Sequence, residues 1–286
     1  MSNIKKVETI NLNSIKFSKR VKNKNNEGKT SYINYGTTRD KFRVQLPKMS
    51  LPFGASISNK KKVEEGTEKP KYSLSFSFSG YEENHKLKQL KKTLESLDDK
   101  LLKVAREENW MGKNLSEEIL REKLNPTVKW SYDDEGNLKD FPPSFKTTLP
   151  KKFGQDDAFN VTFFGADKSV MDITPDNVLD VITQGSHGRA IVECRGVYFI
   201  GKNFGISWNI LQIQVYPNDT KLDDWAFTPE SDDEDEVEDT KPKEDTYESA
   251  FASDSDSESE KPPKTQICDS SDPVDELVAN PEVPEL

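Results

Sequence analysis

Cysteine and histidine are nearly missing from this chain of 286 residues, with two of each. Cys194 and Cys268, His85 and His187 are each far apart in sequence, so neither a disulfide framework nor a zinc site is encoded. No run of about 18 apolar residues exists, and the opening Met1-Ser2-Asn3-Ile4-Lys5-Lys6 has no apolar stretch of the signal-peptide kind. The expectation is a soluble protein of a reducing, intracellular compartment with no membrane partner. The usual motifs of catalysis are missing too: there is no Walker phosphate loop, no Gly-x-Ser-x-Gly elbow and no histidine pair at metal spacing. Acidic clusters at Asp98-Asp99, Asp133-Asp134-Glu135 and Asp156-Asp157 read as solvated loops or helix faces rather than cation sites. A binding protein is expected, not an enzyme, with no cofactor and no metal.

What the chain has in abundance is charge, and the two signs are segregated. Residues 222–286 carry 23 acidic residues against four lysines, a net of −19 within a total of −10, which leaves +9 on residues 1–221. The first 62 residues alone hold 15 Lys and Arg against three acids. A cationic body attached to its own polyanion implies that the body binds another polyanion, with the tail competing for the same surface or recruiting basic partners. The acidic, serine-rich stretch at 228–286 cannot bury enough apolar surface to fold, so it is expected to be a disordered tail on a body spanning 1–227.

Within the body, Ile10–Phe17 and Phe42–Leu46 read as strands, with a basic loop of Lys, Asn and Gly at Val21–Lys29. Tyr72–Ser79 alternates without a fault, apolar on one face and serine on the other. At 83–124 the period changes to helical. Leu87, Leu90, Leu94, Leu97, Leu101 and Val104 recur at spacings of 3 and 4 on a helix over about 83–107, and a shorter helix follows from N-cap Ser116 to Leu124, closed by Pro126. The leucine stripe packs against the sheet or, in the alternative, forms the seam of a homodimer. Val128–Tyr132, Phe159–Phe164, Ala190–Ile200 and Gly205–Tyr216 read as further strands, Thr174–Thr183 as helix, and Gly185–Gly188 as a turn holding His187. The apolar phase switches after Ile210, which predicts a β-bulge there. The sum is a mainly β fold with inserted helices, an OB-fold-like small barrel followed by the acidic tail. Trp225 and Phe227 are its expected last anchors.

Single-stranded nucleic acid needs cations along a groove to meet phosphates and flat rings on which unpaired bases stack. The body interleaves the two. The candidate phosphate contacts are Lys16, Lys19, Arg20, Lys22, Lys24, Arg39, Lys41, Arg43, Lys129, Lys146, Lys151, Lys152, Arg195 and Lys202, and the candidate stacking rings are Phe17, Tyr32, Tyr35, Trp130, Tyr198 and Phe204. Tyr32 and Tyr35 stand out because they flank a loop, whereas Trp208 falls in the apolar phase of its strand and is expected in the core.

Two consecutive segments carry a resemblance. Ala190-Ile191-Val192-Glu193-Cys194-Arg195-Gly196-Val197-Tyr198-Phe199-Ile200, followed by Phe204-Gly205-Ile206-Ser207-Trp208-Asn209-Ile210-Leu211-Gln212-Ile213, resembles the last hairpin of the phage-type single-stranded DNA-binding proteins of large eukaryotic DNA viruses. The resemblance implies an OB-fold core with a helix between strands and an acidic C-terminal tail. It further implies a protein that coats unwound DNA in replication, recombination or repair and meets polymerase and helicase through that tail. In a virus this would act at a factory or in the nucleus of the host cell. Phage members end their tails on an aromatic residue; this chain ends Pro284-Glu285-Leu286, with Phe251 as an internal substitute. An acidic-tailed histone chaperone and an RNA- or duplex-binding protein of viral transcription stay open as alternatives. Ser231, Ser253, Ser255 and Ser257 each have an acid three residues on, a pattern open to phosphorylation.

Overall fold

The computed structural model describes residues 4–22, 28–37 and 40–218. Lys24, Arg39, the anchors Trp225 and Phe227, and the whole stretch with Ser231, Phe251, Ser253, Ser255 and Ser257 lie outside the described residues.

The first 50 residues are laid down as short strands: β1 (Ile4–Lys6), β2 (Ile15–Phe17), β3 (Val21–Lys22), β4 (Lys29–Ser31), β5 (Ile33–Tyr35), β6 (Arg43–Gln45) and β7 (Met49–Ser50). The strand expected over Ile10–Phe17 is only three residues long because the Asn11 side chain accepts a hydrogen bond from the Asn13 amide and turns Leu12–Ser14 into a 3-10 helix. The flanks of the expected basic loop pair as a hairpin, β3 with β4.

The chain continues through β8 (Ala55–Ile57), α1 (Lys60–Glu64), β9 (Tyr72–Ser77), α2 (His85–Glu107) and α3 (Glu117–Lys123). Then come β10 (Leu124–Asn125), β11 (Val128–Lys129), β12 (Ser144–Leu149), β13 (Thr162–Phe164) and β14 (Val170–Met171). Last are α4 (Val178–Val181), β15 (His187–Ile200) and β16 (Asn203–Tyr216). The helix expected over Thr174–Thr183 shrinks to α4, and His187 opens β15 opposite Tyr216 instead of sitting in a turn.

Five strand positions close on themselves. β7 is antiparallel to β9, β9 to β12, and β12 lies parallel to β16; β16 pairs back with β15, and β15 returns to β6 and β7. Taking β6 and β7 as one interrupted first strand, the order is 1-2-3-5-4-1 with the third and fifth parallel, the connectivity of an OB barrel. The interior is filled by Leu74, Phe76, Phe145, Leu149, Val192, Trp208 and Ile210, all buried. The β15–β16 ladder skips Leu211 between the pairs Ile191↔Gln212 and Val192↔Ile210, so the bulge foreseen near Ile210 is present. A second irregularity skips Arg195; there Gly196 takes φ +140°, and a Cβ on it would lie 2.6 Å from the Ser31 carbonyl of β4.

Between the second and third barrel strands, α2 starts at Asn84, whose side chain accepts from the Lys86 and Leu87 amides, and α3 starts at Ser116, which accepts from Ile119. The leucine stripe, Leu87 to Leu101, is buried within the chain, so it offers no seam for a homodimer. Lys100 on α2 donates to the Leu12 and Ile15 carbonyls, tying the N-terminal segment down. The same helix carries a buried carboxylate. Asp98 accepts from the Thr127 amide and hydroxyl, both at 2.7 Å, and fixes the chain between α3 and β11.

Burial raises the Asp98 pKa from 3.8 to about 6, against the two hydrogen bonds from Thr127. The folded chain therefore holds this proton more tightly than the unfolded one. The associated stability is complete below about pH 4 and is lost as pH rises through about 6, a swing of about 3 kcal/mol. Asp98→Asn keeps an acceptor for the amide and a donor for the hydroxyl but cannot titrate. Denaturant melts of both proteins between pH 4 and pH 7 are expected to show the parent losing stability relative to the variant across this window; parallel curves would exclude the raised pKa.

Candidate nucleic-acid interface

In OB barrels the face of the second and third strands, with the 1–2 and 4–5 loops, is where oligonucleotides are taken up. Here that face follows from alternation. On β12, Phe145, Thr147 and Leu149 point inward, which leaves Ser144, Lys146 and Thr148 on the outside. The register sets Ser144 beside Ser77, Lys146 beside Ser75 and Thr148 beside Ser73. β11 extends the first row by placing Lys129 opposite Ser144, and β8 extends the last by placing Ser56 opposite Ser73. Ser56 and Ser58 hydroxyls lie 3.2 and 3.1 Å from that of Ser73. The face is lined with hydroxyls and lysines; Ser73 and Ser77 are buried in it, and Ser75, Ser144, Lys146 and Thr148 are half-buried.

β12 and β16 are joined by a single pair, Thr148↔Asn209. Away from it they part: β11 occupies the edge of β12 at 144–145, and β10 runs parallel to β16 at Phe204–Gly205. The parting leaves a cavity of about 50 Å³, around which Lys71, Lys129 and Lys146 stand with Thr148, Tyr198 and Trp208. Among the described residues, none that lines it is acidic. Lys71 is shared with Glu68 at 3.2 Å; the Lys62 and Asn59 hydrogen bonds hold Glu68 ionised, with a pKa of about 2. Trp208 is 3% exposed, wedged edge-on against Phe42 and Phe145, and its indole Nε1 has no hydrogen-bond acceptor among the described residues. Gly205 is required beside it, since a Cβ there would sit 2.7 Å from the Tyr198 hydroxyl.

The expected site residues are scattered by the fold. Lys129 and Lys146 come together at the cleft just described. Lys16, Lys19 and Lys22 are exposed along the N-terminal strands, and Lys202 is exposed in the β15–β16 turn, near which β4 pairs with Tyr198 and Phe199. Lys151 lies over the Tyr72 ring, and Lys152 is exposed.

Several basic residues serve the protein itself. Glu193 is buried on β15 and is met by Lys41 at 3.2 Å, Arg43 at 2.9 Å and Arg195 at 3.7 Å, so these three share one carboxylate before any phosphate arrives. Arg20 donates to the Trp110 carbonyl and lies over the Phe199 ring.

Two of the expected stacking rings are in the core, and a third, Tyr198, is buried beside the cleft. Tyr35 stacks on Phe42 with its hydroxyl accepting from the Asn11 amide, Phe204 is fully buried on β16, and Tyr198 is buried with its hydroxyl accepting from Asn125. Tyr35 and Phe204 sit on strands whose inward phase outweighs their proximity to lysine. Phe17 packs edge-on against Trp110, and Trp130 is half-buried under Lys91. Tyr32, 41% exposed, keeps an open face. Rings not foreseen as stackers are more open: Tyr132 at 55% and Phe141 at 62%, both on the loop joining β11 to β12, and Phe153 at 80% after β12. Phe141-Pro142-Pro143 and Phe153-Gly154 place those two rings beside residues that break strands, a signal of exposure available in the sequence.

The sequence over residues 77–229 matches the model of a family of unknown function, DUF5871. No curated protein matches the chain. Among solved structures it is similar to gp2.5, a single-stranded DNA-binding protein encoded by bacteriophage T7, with 12% identity over 69% of this chain and 98% of that one, at a TM-score of 0.38. It is also similar to the single-stranded DNA-binding protein from bacteriophage Enc34 in complex with ssDNA, with 13% identity over 72% of this chain and 97% of that one, at a TM-score of 0.34. The family match covers more than half of the chain, from the end of β9 through β16, and the protein therefore belongs to the DUF5871 family.

Proposed function

We propose that this protein binds single-stranded DNA without sequence preference, along the outer face of β9 and β12 and the cleft beside it. The observation that carries the reading is the convergence of Lys71, Lys129 and Lys146 on one cleft beside the second and third strands of an OB barrel, the side that takes oligonucleotides. Lysines and hydroxyls meet phosphate without reading base identity. Tyr132 and Phe141 stand on the hairpin that supplies Lys129, and their open rings suit unpaired bases, whose faces a duplex hides.

In this reading the protein coats unwound DNA during replication, recombination or repair. Its acidic segment competes with DNA for the cationic face and recruits replication proteins, and phosphorylation of Ser231, Ser253, Ser255 and Ser257 would deepen that competition.

Fluorescence anisotropy with labelled mixed-sequence oligonucleotides tests the binding mode: single strands are expected to bind more tightly than duplex of equal length, and the reverse order would sink the proposal. Lys129→Ala with Lys146→Ala is expected to weaken binding for every sequence and to flatten the log–log salt slope by about 1.4, from about 0.7 per lost contact on a single strand. Tyr132→Ala with Phe141→Ala is expected to cost roughly 1–3 kcal/mol per stacked base with the slope nearly unchanged. Equal slope changes in the two variants would undo this division of roles.

Truncation after Phe227 tests the competition separately. Affinity is expected to rise, most at low salt, and the gain to vanish toward 1 M, where the screening length falls to about 3 Å. An unchanged affinity at low salt would show that the acidic segment does not compete.

A further inference from the structure

We infer that Phe153 is a second stacking station for an unpaired base, standing at the opposite end of β12 from Tyr132 and Phe141. This deepens the single-strand reading and rests on it. Phe153 is 80% exposed, the most open of the large apolar side chains among the described residues. Phe141 precedes β12 by three residues and Phe153 follows it by four. The strand between them is six residues, about 20 Å at 3.3 Å per residue, so a single strand reaching from one end to the other would cross the face of Ser75, Lys146 and Thr148.

An open ring stacks well only if it is already held, because ordering a mobile one on binding costs affinity. The turn that carries Phe153 is held at its base and at its tip. At the base, Lys151 bridges to Phe159, the Lys152 amide donates to the Ala158 carbonyl at 2.9 Å, and the Asn160 amide donates to the Pro150 carbonyl at 2.7 Å. Phe159 is buried, edge-on against Tyr72 and Phe163, and seats the turn in the body. At the tip, Gly154 takes φ +73° directly after the ring, and Asp156 is paired with Lys69 of the loop between the first and second barrel strands. Lys69 lies two residues from Lys71, which stands at the cleft, so the backbone there comes within about 7 Å of the cleft residue.

The surroundings of the ring select its occupant. Its neighbours on the turn are Lys152, Gly154, Gln155, Asp156 and Asp157, so the phenyl group stands alone as an apolar surface there. A protein partner buries a contiguous core patch with a polar rim, which one ring does not supply. An unpaired base is flat and needs only one ring face, with a cation close by for its phosphate. Lys152, exposed next to Phe153, is that cation.

The test compares the full-length chain with Phe153→Ala by fluorescence anisotropy, on a labelled mixed-sequence strand of about 16 nucleotides, the upper end of the site size of one OB fold, and on an abasic strand of the same length and charge. The variant is expected to bind the normal strand about tenfold more weakly, with the salt slope unchanged, and the abasic strand as tightly as the parent does. Phe153→Trp is expected to restore affinity, and the fluorescence it adds to that of the four native tryptophans to be quenched by the normal strand and not by the abasic one. Unchanged affinity in Phe153→Ala, or an equal loss on both strands, would overturn the stacking station and leave the single-strand reading standing. Loss of self-association in sedimentation with unchanged affinity per protomer would reassign the ring to a contact between copies. Absence of binding by the parent protein would overturn both readings.

Discussion

The pairing of β15 with β16 is the constraint on which the other strands depend. These two 14-residue strands form one hairpin whose outer edges receive nearly everything else: β4, β6 and β7 along β15, and β10, β12 and β13 along β16. A hairpin this long would twist away from any closed barrel if it stayed regular. The irregularities at Leu211 and Arg195 bend it, and each has a local cause. The first moves the inward phase of β16 from Ile210 to Ile213, and the second, at Gly196, lets the backbone of β4 come within reach. Closure is then completed at a single pair, Thr148↔Asn209. The ring has two such thin joins, this one and Ser50↔Ser77 between β7 and β9, and the cleft lies at the first because parallel β12 and β16 separate on leaving that pair.

The placement of charge follows from the same hairpin. Glu193 points into the protein from β15 and draws Lys41, Arg43 and Arg195 around it. A buried carboxylate survives only with such partners, so these cations serve the fold first. Arg20 is likewise held by Trp110 and Phe199. The cations at the cleft are all lysines. A guanidinium forks rigidly onto a specific acceptor, whereas a lysine ammonium is a flexible point charge that follows a phosphate in many positions. That difference suits a surface that must accept any sequence and any local backbone geometry.

The sequence was legible where a period was long and undisturbed. The leucine stripe of α2 and the alternation of β9 appear in the structure nearly as the spacing implies, and the bulge near Ile210 announced itself as a change of phase. β12 was not legible, although Phe145, Thr147 and Leu149 alternate inward. One of the three is a threonine whose hydroxyl is satisfied by the Leu74 carbonyl, and the segment follows two prolines that read as loop. Losing that strand hid the cleft, since Lys146 can be assigned to a face only when its register is known. Proximity of a ring to lysines proved a poor guide to exposure. Tyr35 and Phe204 stand among cations in sequence yet point inward, because a strand alternates its faces every residue while a basic run does not.

A cleft built on the closing seam couples recognition to stability in a way that a site on a rigid face would not. A strand seated in the cleft between Lys146 on β12 and Ser207 on β16 would bridge two strands that share only one backbone pair. Any ligand that binds the folded state alone adds RT ln(1 + [L]/Kd) to its stability, and here that gain would fall on one of the pairings that close the barrel. The Trp208 ring packs on Phe42 from the first barrel strand region and on Phe145 from the third, so the core holds β16 against β12 at this join although the backbone pairs there only once. The packed ring keeps the cleft in place while the lysines around it can follow a phosphate in many positions.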